Sequence, residues 1–393
     1  MDHRLYNDSP YIDEWQTEVS EIIEQDGRYH VALKATAFYP EQGGQIADQG
    51  TIDGVPVEGL YERDGTVYHV LPAAPAGKTV TGKLDFARRF DHMQQHTGQH
   101  ILSAVFEMLY KADTSSFHMG EEDASIELSM PDIPPQAVKA AEDKTNEYLS
   151  RDLAVRTHVV MPEEATRFQG VKVPPGAGVV RLVEIETVEH HACCGTHVSR
   201  LGEIGLIKIV RTEKMGAGLT RAYFKCGGRA FRDYRQKHDI VAALGRQYKV
   251  TESELIPRID LQAAQMKAAK KEIEELKEKL LGIEAADMAK AATAPLIVKS
   301  YSDRRFDELS LLGRHILKHG DFVLLLSSVP DKRLVFARGD GPGLDCGKIF
   351  KEQLPAYHGK GGGSPNWANA GFASIDDMKR FEAFLIETVQ KVK

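Results

Sequence analysis

The sequence predicts an α+β protein of several domains, and three observations carry that prediction. Its 393 residues exceed what one ordinary core organises, which suggests two to four domains. The hydrophobic period changes along the chain, from the alternation of strands to the three-to-four-residue spacing of helices and back. Asp-Gly pairs, which favour tight hairpin turns, punctuate the first segment, whereas a long charged helical pattern occupies a later one. Four segments follow: residues 1–88, a small antiparallel β-barrel or sandwich; 89–229, an α+β domain; 230–294, a helical coiled-coil segment; and 295–393, an α/β domain with a glycine motif.

In the first segment, Tyr29-His-Val-Ala-Leu, Thr51-Ile-Asp-Gly-Val and Thr66-Val-Tyr-His-Val alternate as strands, with turns at Asp26-Gly, Asp53-Gly and Asp64-Gly. Between them, the stretch Ala37 to Gly50 is rich in glycine and amides, and Gly43 and Gly44 let backbone approach a ligand closely. The spacing of Met93, Ile101, Leu102, Val105 and Phe106 predicts a helix over 84–110, with Asp91 as its cap. A strand near Ala124 and a helix from Pro134 to Leu153 come next. Two strands, beginning at Val179 and Gly205, then bracket the motif Cys193-Cys-Gly-Thr-His197.

Leu255, Ile259, Gln262, Met266, Ala269, Ile273, Leu276, Leu280 and Ile283 follow a 4-3 spacing that specifies a coiled-coil seam. That seam predicts either a homodimer or an intramolecular hairpin with the preceding helix of Phe231, Tyr234, Val241 and Tyr248. In the last segment, Pro295 to Val298, Asp321 to Leu326 and Arg333 to Ala337 read as buried strands, with helices over 306–318 and 375–392. The run Gly359-Lys-Gly-Gly-Gly363 reads as a loop whose successive N–H groups, at Lys360, Gly361, Gly362 and Gly363, face a phosphate or carboxylate.

The residues with the clearest chemistry are His96, His100, Cys193 and His197. On a helix, His96 and His100 leave one face about one turn apart, and Cys193 and His197 repeat the spacing. Three nitrogens and one sulfur of this type predict one zinc ion per chain, with Cys194 as the rival to Cys193. The residues between the first histidines, Thr97, Gly98 and Gln99, include no general base, which argues against a zinc peptidase.

Composition limits the remaining classes. Only four cysteines occur, which excludes a disulfide framework and fits a reducing, cytoplasmic setting. Neither a secretory signal nor a membrane span is expected. A net charge of −7 excludes a chain that coats nucleic acid by bulk charge. Between Leu206 and Lys237, however, nine lysines and arginines, Arg221 and Arg229 among them, face two acids, which predicts a phosphate-facing stripe.

Together, Phe38-Tyr-Pro-Glu-Gln-Gly-Gly-Gln, His96-Thr-Gly-Gln-His100, Cys193-Cys-Gly-Thr-His-Val198 with Gly202-Glu-Ile-Gly, and Gly359-Lys-Gly-Gly-Gly with Ala370-Gly resemble, in order, the long form of the stand-alone alanyl-tRNA editing proteins. The final motif resembles the C-terminal domain that alanyl-tRNA synthetases share with certain phosphoesterases, although no Asp-His-His triplet is present. Synthetase editing domains have glycine where this chain has Cys194. The resemblance makes 89–229 a zinc-containing editing domain. It implies hydrolysis of alanine tRNA mischarged with serine or glycine, without amino-acid activation. It also implies substrate roles for Thr97, Gln99 and His118, and tRNA contacts from the basic stripe and the glycine run. Two rivals from other classes are a nucleic-acid-binding protein whose zinc is purely structural and a zinc hydrolase of another substrate.

Overall fold

The computed structural model describes residues 2–168, 171, 178–340 and 343–391. It divides into two compact units, Met1–Leu244 and Gly245–Lys393. Among the described residues, no helix is long and apolar enough to cross a membrane.

The first unit opens with a seven-stranded antiparallel sheet. Its strands are β1 (Glu14–Gln25), β2 (Arg28–Leu33), β3 (Gly50–Ile52), β4 (Val55–Pro56), β5 (Gly59–Arg63), β6 (Thr66–Leu71) and β7 (Thr79–Leu84). They lie in the order β4-β3-β7-β1-β2-β6-β5. The three Asp-Gly pairs close hairpins as expected: Asp26, Asp53 and Asp64 and the glycine after each all have positive φ, which only the mirror-image hairpin turns require at both positions. Trp15, Val31, Leu33, Phe38, Ile52, Leu71 and Val80 form the sheet's buried core. The hydrogen-bonded order ends on β4 and β5, so where a small barrel or sandwich is expected the sheet is a half-barrel.

Helix α1 (Phe86–Tyr110) follows, capped by Asp85, whose side chain accepts from the Arg88 N–H at 3.1 Å. The cap predicted at Asp91 is therefore misplaced by six residues; Asp91 lies inside the helix and pairs with Arg229. Next come β8 (Thr114–Met119), β9 (Ala124–Leu128), α2 (Pro135–Ser150), β10 (Val155–Val160), β11 (Val180–Ile185), β12 (Glu189–Ala192), β13 (Ile207–Gly216) and β14 (Leu219–Cys226). A four-stranded sheet, β8-β9-β14-β13, carries α1 and α2, and β10-β11-β12 form a second, smaller sheet. Met93, Ile101, Leu102, Val105 and Phe106 of α1 pack on Ile126, Leu128, Ile207 and Phe224. Gly98 makes the approach possible: a Cβ there would lie 2.2 Å from the Cys226 sulfur. Helix α3 (Gly227–Tyr248) then runs across the boundary between the units.

The second unit comprises α4 (Leu255–Ala291), β15 (Leu296–Tyr301), α5 (Phe306–Ile316), β16 (Val323–Ser328), β17 (Arg333–Arg338), α6 (Cys346–Gln353), β18 (Gly359–Ser364), β19 (Trp367–Phe372) and α7 (Ile375–Lys391). Its sheet runs β15-β16-β17-β19-β18, with only the first pair parallel. Leu324, Leu326, Val335 and Ala337 face α4 and α5, whereas Leu325, Leu334 and Phe336 face α6 and α7. Burial on both faces explains why these strands read as unbroken apolar runs.

Two expectations change here. Gly359 to Gly363 form the edge strand β18 rather than an anion-binding loop, and pair with β19, which follows. A Cβ at Gly361 or Gly363 would lie 2.0 Å from a carbonyl oxygen of β19, so these glycines serve strand and helix packing. The seam on α4 is helical as predicted, yet Met266, Ile273, Leu276, Leu280 and Ile283 are exposed; the residues buried against α5 are Leu281 and Ala285.

Candidate metal centre and its cavity

Helix α1 carries His96 and His100 on one face, and the loop after β12 carries Cys193 and His197. The Cys193 sulfur lies 3.4 Å from His96 Nε2 and 3.3 Å from His197 Nε2. One donor atom from each of the four residues falls within 4.8 Å of the others, a set that could hold a metal ion. His100 Nε2 is buried with no hydrogen-bond partner among the described residues, as expected of an atom meant for a cation. Cys194 is outside the set and exposed. Of the two cysteines, the geometry favours Cys193.

The orientation of the His96 and His197 rings follows from the other nitrogen of each. Gln45 donates to Thr196 Oγ1 at 2.9 Å, and its Oε1 accepts from the Thr196 N–H at 3.0 Å, which fixes the amide. Oε1 also meets His96 Nδ1 at 2.9 Å, so Nδ1 carries the proton and the Nε2 lone pair is free for a metal. Thr97 Oγ1 accepts from the Val198 N–H and meets His197 Nδ1, each at 3.2 Å, and so fixes the orientation of that ring. Glu189 Oε2 stands 3.7 Å from His100 Nδ1. Arg181 donates to the carbonyls of Cys193 and Gly195 at 2.9 and 2.8 Å and fixes the loop. Gly195 has to be glycine, because a Cβ there would lie 2.1 Å from the His96 ring.

Charge reinforces the arrangement. Burial opposes ionisation of Cys193, but the imidazoles of His96 and His197 against its sulfur hold its thiol well below the ordinary range. Burial pushes His197 down to about 3, so it stays neutral and able to coordinate.

Above the cluster opens a cavity of about 620 Å³, lined among others by Tyr39, Gly43, His96, Gln99, His100, Ser103, Phe117, Glu189 and Cys193. Of the residues given substrate roles by the sequence, Gln99 and Gly43 reach it, and Gln99 donates to Ser103 Oγ at 3.0 Å. Gly44 does not line it; there, a Cβ would meet the Phe117 carbonyl at 2.7 Å. Thr97 is fully buried behind His197 and holds that ring instead of facing substrate. His118 is exposed on the opposite side of β8 from Phe117 and is absent from the cavity lining.

The basic stripe is largely neutralised. Lys208 pairs with Glu142, Arg211 with Asp123, Lys214 with Asp132, Arg221 with Glu127, and Lys225 and Lys237 with Asp233. Arg229 is no surface residue: its side chain is 4% exposed, pairs with Asp91 and donates to the Gly120 carbonyl at 2.6 Å. Only Arg232 and Arg235 in the stripe lack an ion-pair partner among the described residues.

Sequence reasoning missed Gln45 and Glu189. Gln45 stood inside the quoted glycine-amide motif. Glu189 precedes Cys193 by four residues on a strand, where no helical spacing points to it.

Residues 180–223 match the family model described as the threonyl and alanyl tRNA synthetase second additional domain. Alanyl-tRNA editing protein AlaX-L of Pyrococcus horikoshii is 30% identical over 387 residues, covering 94% of both chains. The chain belongs to the alanyl-tRNA editing proteins. Mus musculus Aarsd1, another member, is 36% identical over 221 residues, covering 55% of this chain and 53% of its own. An alanine–tRNA ligase of Methanobrevibacter smithii is 27% identical over 390 residues, 93% of this chain but 43% of the ligase. The family likeness therefore extends through the second unit as well as the metal centre.

Proposed function

We propose that the protein hydrolyses in trans the ester linking a wrong amino acid to alanine tRNA, serine foremost and glycine second, with zinc held by His96, His100, Cys193 and His197. One observation carries the reading: four donors converge beside an open cavity that three of them, His96, His100 and Cys193, line, in a member of this family. Three imidazoles and a thiolate suit zinc over the oxygen-seeking magnesium and calcium. When bound, the ion supplies Lewis-acid charge beside the ester.

The chain's own residues do the rest. Gln45 and Thr97 hold the rings that shape the floor, and Phe117 and Tyr39 supply apolar wall. Gln99 and Ser103 place polar groups where a serine hydroxyl would be read. A hydrogen-bonding pocket of this kind favours serine over alanine and glycine, which lack the hydroxyl, more strongly than an apolar pocket could, which ranks serine first. A panel of alanine tRNAs carrying serine, glycine or alanine tests the reading, and equal inertness toward all three would sink it. We place the activity in the cytoplasm, where the thiolate stays reduced.

Phosphate contacts fall in this reading to Arg232 and Arg235 on α3, with Lys360 on β18 also exposed. Reversing Arg232 and Arg235 to glutamate should weaken tRNA binding on the order of tenfold or more at low salt and flatten its salt dependence. Filter-binding titrations at several salt concentrations would show it; an unchanged salt slope would remove these arginines. The exposed seam of α4 pairs, in this reading, with the seam of a second copy. Light scattering that returned a single-chain mass would exclude the homodimer.

A further inference from the structure

Beside its imidazoles, the cavity above the metal cluster carries three carboxylates. Glu107, Asp113 and Glu189 line it, and among the described residues no lysine or arginine does. A pocket meant for phosphate would show the opposite. Glu107 and Asp113 are exposed, whereas the Glu189 side chain is 17% exposed and its Oε2 is buried with no hydrogen-bond partner among the described residues. Alternation along β12 places Glu189 and His191 on the cavity side with Cys193 just beyond.

The two nearest rings do not satisfy this carboxylate. His100 Nδ1 is 3.7 Å from Oε2 and His191 Nδ1 is 3.8 Å from Oε1, both beyond hydrogen-bond reach. A buried carboxylate without a donor is costly, so its position facing an open cavity implies that the ligand brings the donor.

We propose that Glu189 binds the α-ammonium of the amino acid esterified to the tRNA. This rests on the ester-hydrolase reading and deepens it. The ammonium group supplies three N–H donors and a positive charge, and it is the one cation present on every aminoacyl ester. Anchoring it at Glu189 sets the ester next to the cluster and leaves the side chain to be read by Gln99 and Ser103. It also excludes esters whose nitrogen is blocked, as on a chain under synthesis. The protein would then clear free aminoacyl-tRNA and spare peptidyl-tRNA.

The test compares two esters on one alanine tRNA: serine, and the glyceric acid made from it by deamination, which replaces the ammonium with a hydroxyl of nearly the same size. The wild-type protein should favour the seryl ester roughly ten- to a hundredfold in kcat/KM, the loss expected for one charge-assisted hydrogen bond. Glu189→Gln should bring the two esters to within about threefold by slowing the seryl ester alone, with metal content unchanged. Equal wild-type rates on the two esters would overturn the proposal without any variant. So would an equal loss on both esters in Glu189→Gln, which would make Glu189 only an orienting residue for His100. If the wild-type protein cleaved neither ester, the hydrolase reading itself would fall.

Discussion

Replacing Cys193 with serine is expected to abolish both metal retention and hydrolysis of mischarged tRNA, while Cys194→Ser retains the metal. The sulfur of Cys193 is within 3.4 Å of two imidazole nitrogens and is held as a thiolate by the rings around it. A serine hydroxyl ionises far less readily and is a poor ligand for zinc. Structural zinc sites bind with roughly 10–16 kcal/mol, so an average ligand contributes about 3 kcal/mol, a factor on the order of 100 in affinity. Metal content after dialysis against a chelator measures the first effect, and release of serine from mischarged tRNA the second. Gln45→Ala should fall between the two cysteine variants, because it frees the His96 ring without removing a donor; loss of such a partner costs roughly 10–100-fold in affinity. Full activity in metal-free Cys193→Ser would remove zinc from the chemistry. Metal loss in Cys194→Ser alone would transfer the ligand assignment to that residue.

Much of this site was legible because its donors obey local geometry. His96 and His100 need only a helix to converge, and the apolar positions of α1 specify that helix without reference to the rest of the chain. Cys193 and His197 show the same spacing for a different reason: they lie in a loop that Arg181 fixes and that folds closely around Gly195. The Asp-Gly turns were equally local, and all three took the backbone that the dipeptide favours. What failed was whatever depended on partners distant in sequence. The stripe from Lys208 to Lys237 looked basic because its window excluded Glu142, Asp123, Asp132, Glu127 and Asp91, which the fold brings to it. Arg229 is the extreme case, a cation buried against an acid 138 residues away. The run from Gly359 to Gly363 misled in another way. Glycine in a strand where two backbones approach has the same composition as a loop, and only the pairing to β19 and the packing of α6 distinguish them.

The largest stability effect should come from Asp48→Ala. Asp48 and Arg89 form an ion pair whose side chains are 1% and 0% exposed. The pair is fully bonded: Arg89 Nε donates to Asp48 Oδ1 at 3.0 Å and Nη2 donates to Oδ2. The guanidinium also reaches the Pro10 carbonyl at 3.0 Å and the Ala37 carbonyl at 2.6 Å. Asp48 accepts the Tyr39 N–H at 2.6 Å as well. These bonds tie the glycine-amide loop to the first turns of α1, and that loop carries Gln45 to His96. Removing the carboxylate leaves a buried guanidinium uncompensated, which costs about 3–5 kcal/mol. For a unit of this size, that corresponds to a fall of roughly 10 °C in its melting temperature. Asp48→Asn keeps one of the two acceptor oxygens and the side-chain volume but loses the charge, and should cost less than Asp48→Ala. Asp48→Leu combined with Arg89→Met should cost less than Asp48→Ala alone, because no charge is then stranded. Thermal unfolding followed by circular dichroism would rank the three variants. Metal affinity should fall in the same order, because the pair acts on the centre only through the loop that presents Gln45. A double variant as unstable as Asp48→Ala would mean that packing volume, and not the stranded charge, sets the cost.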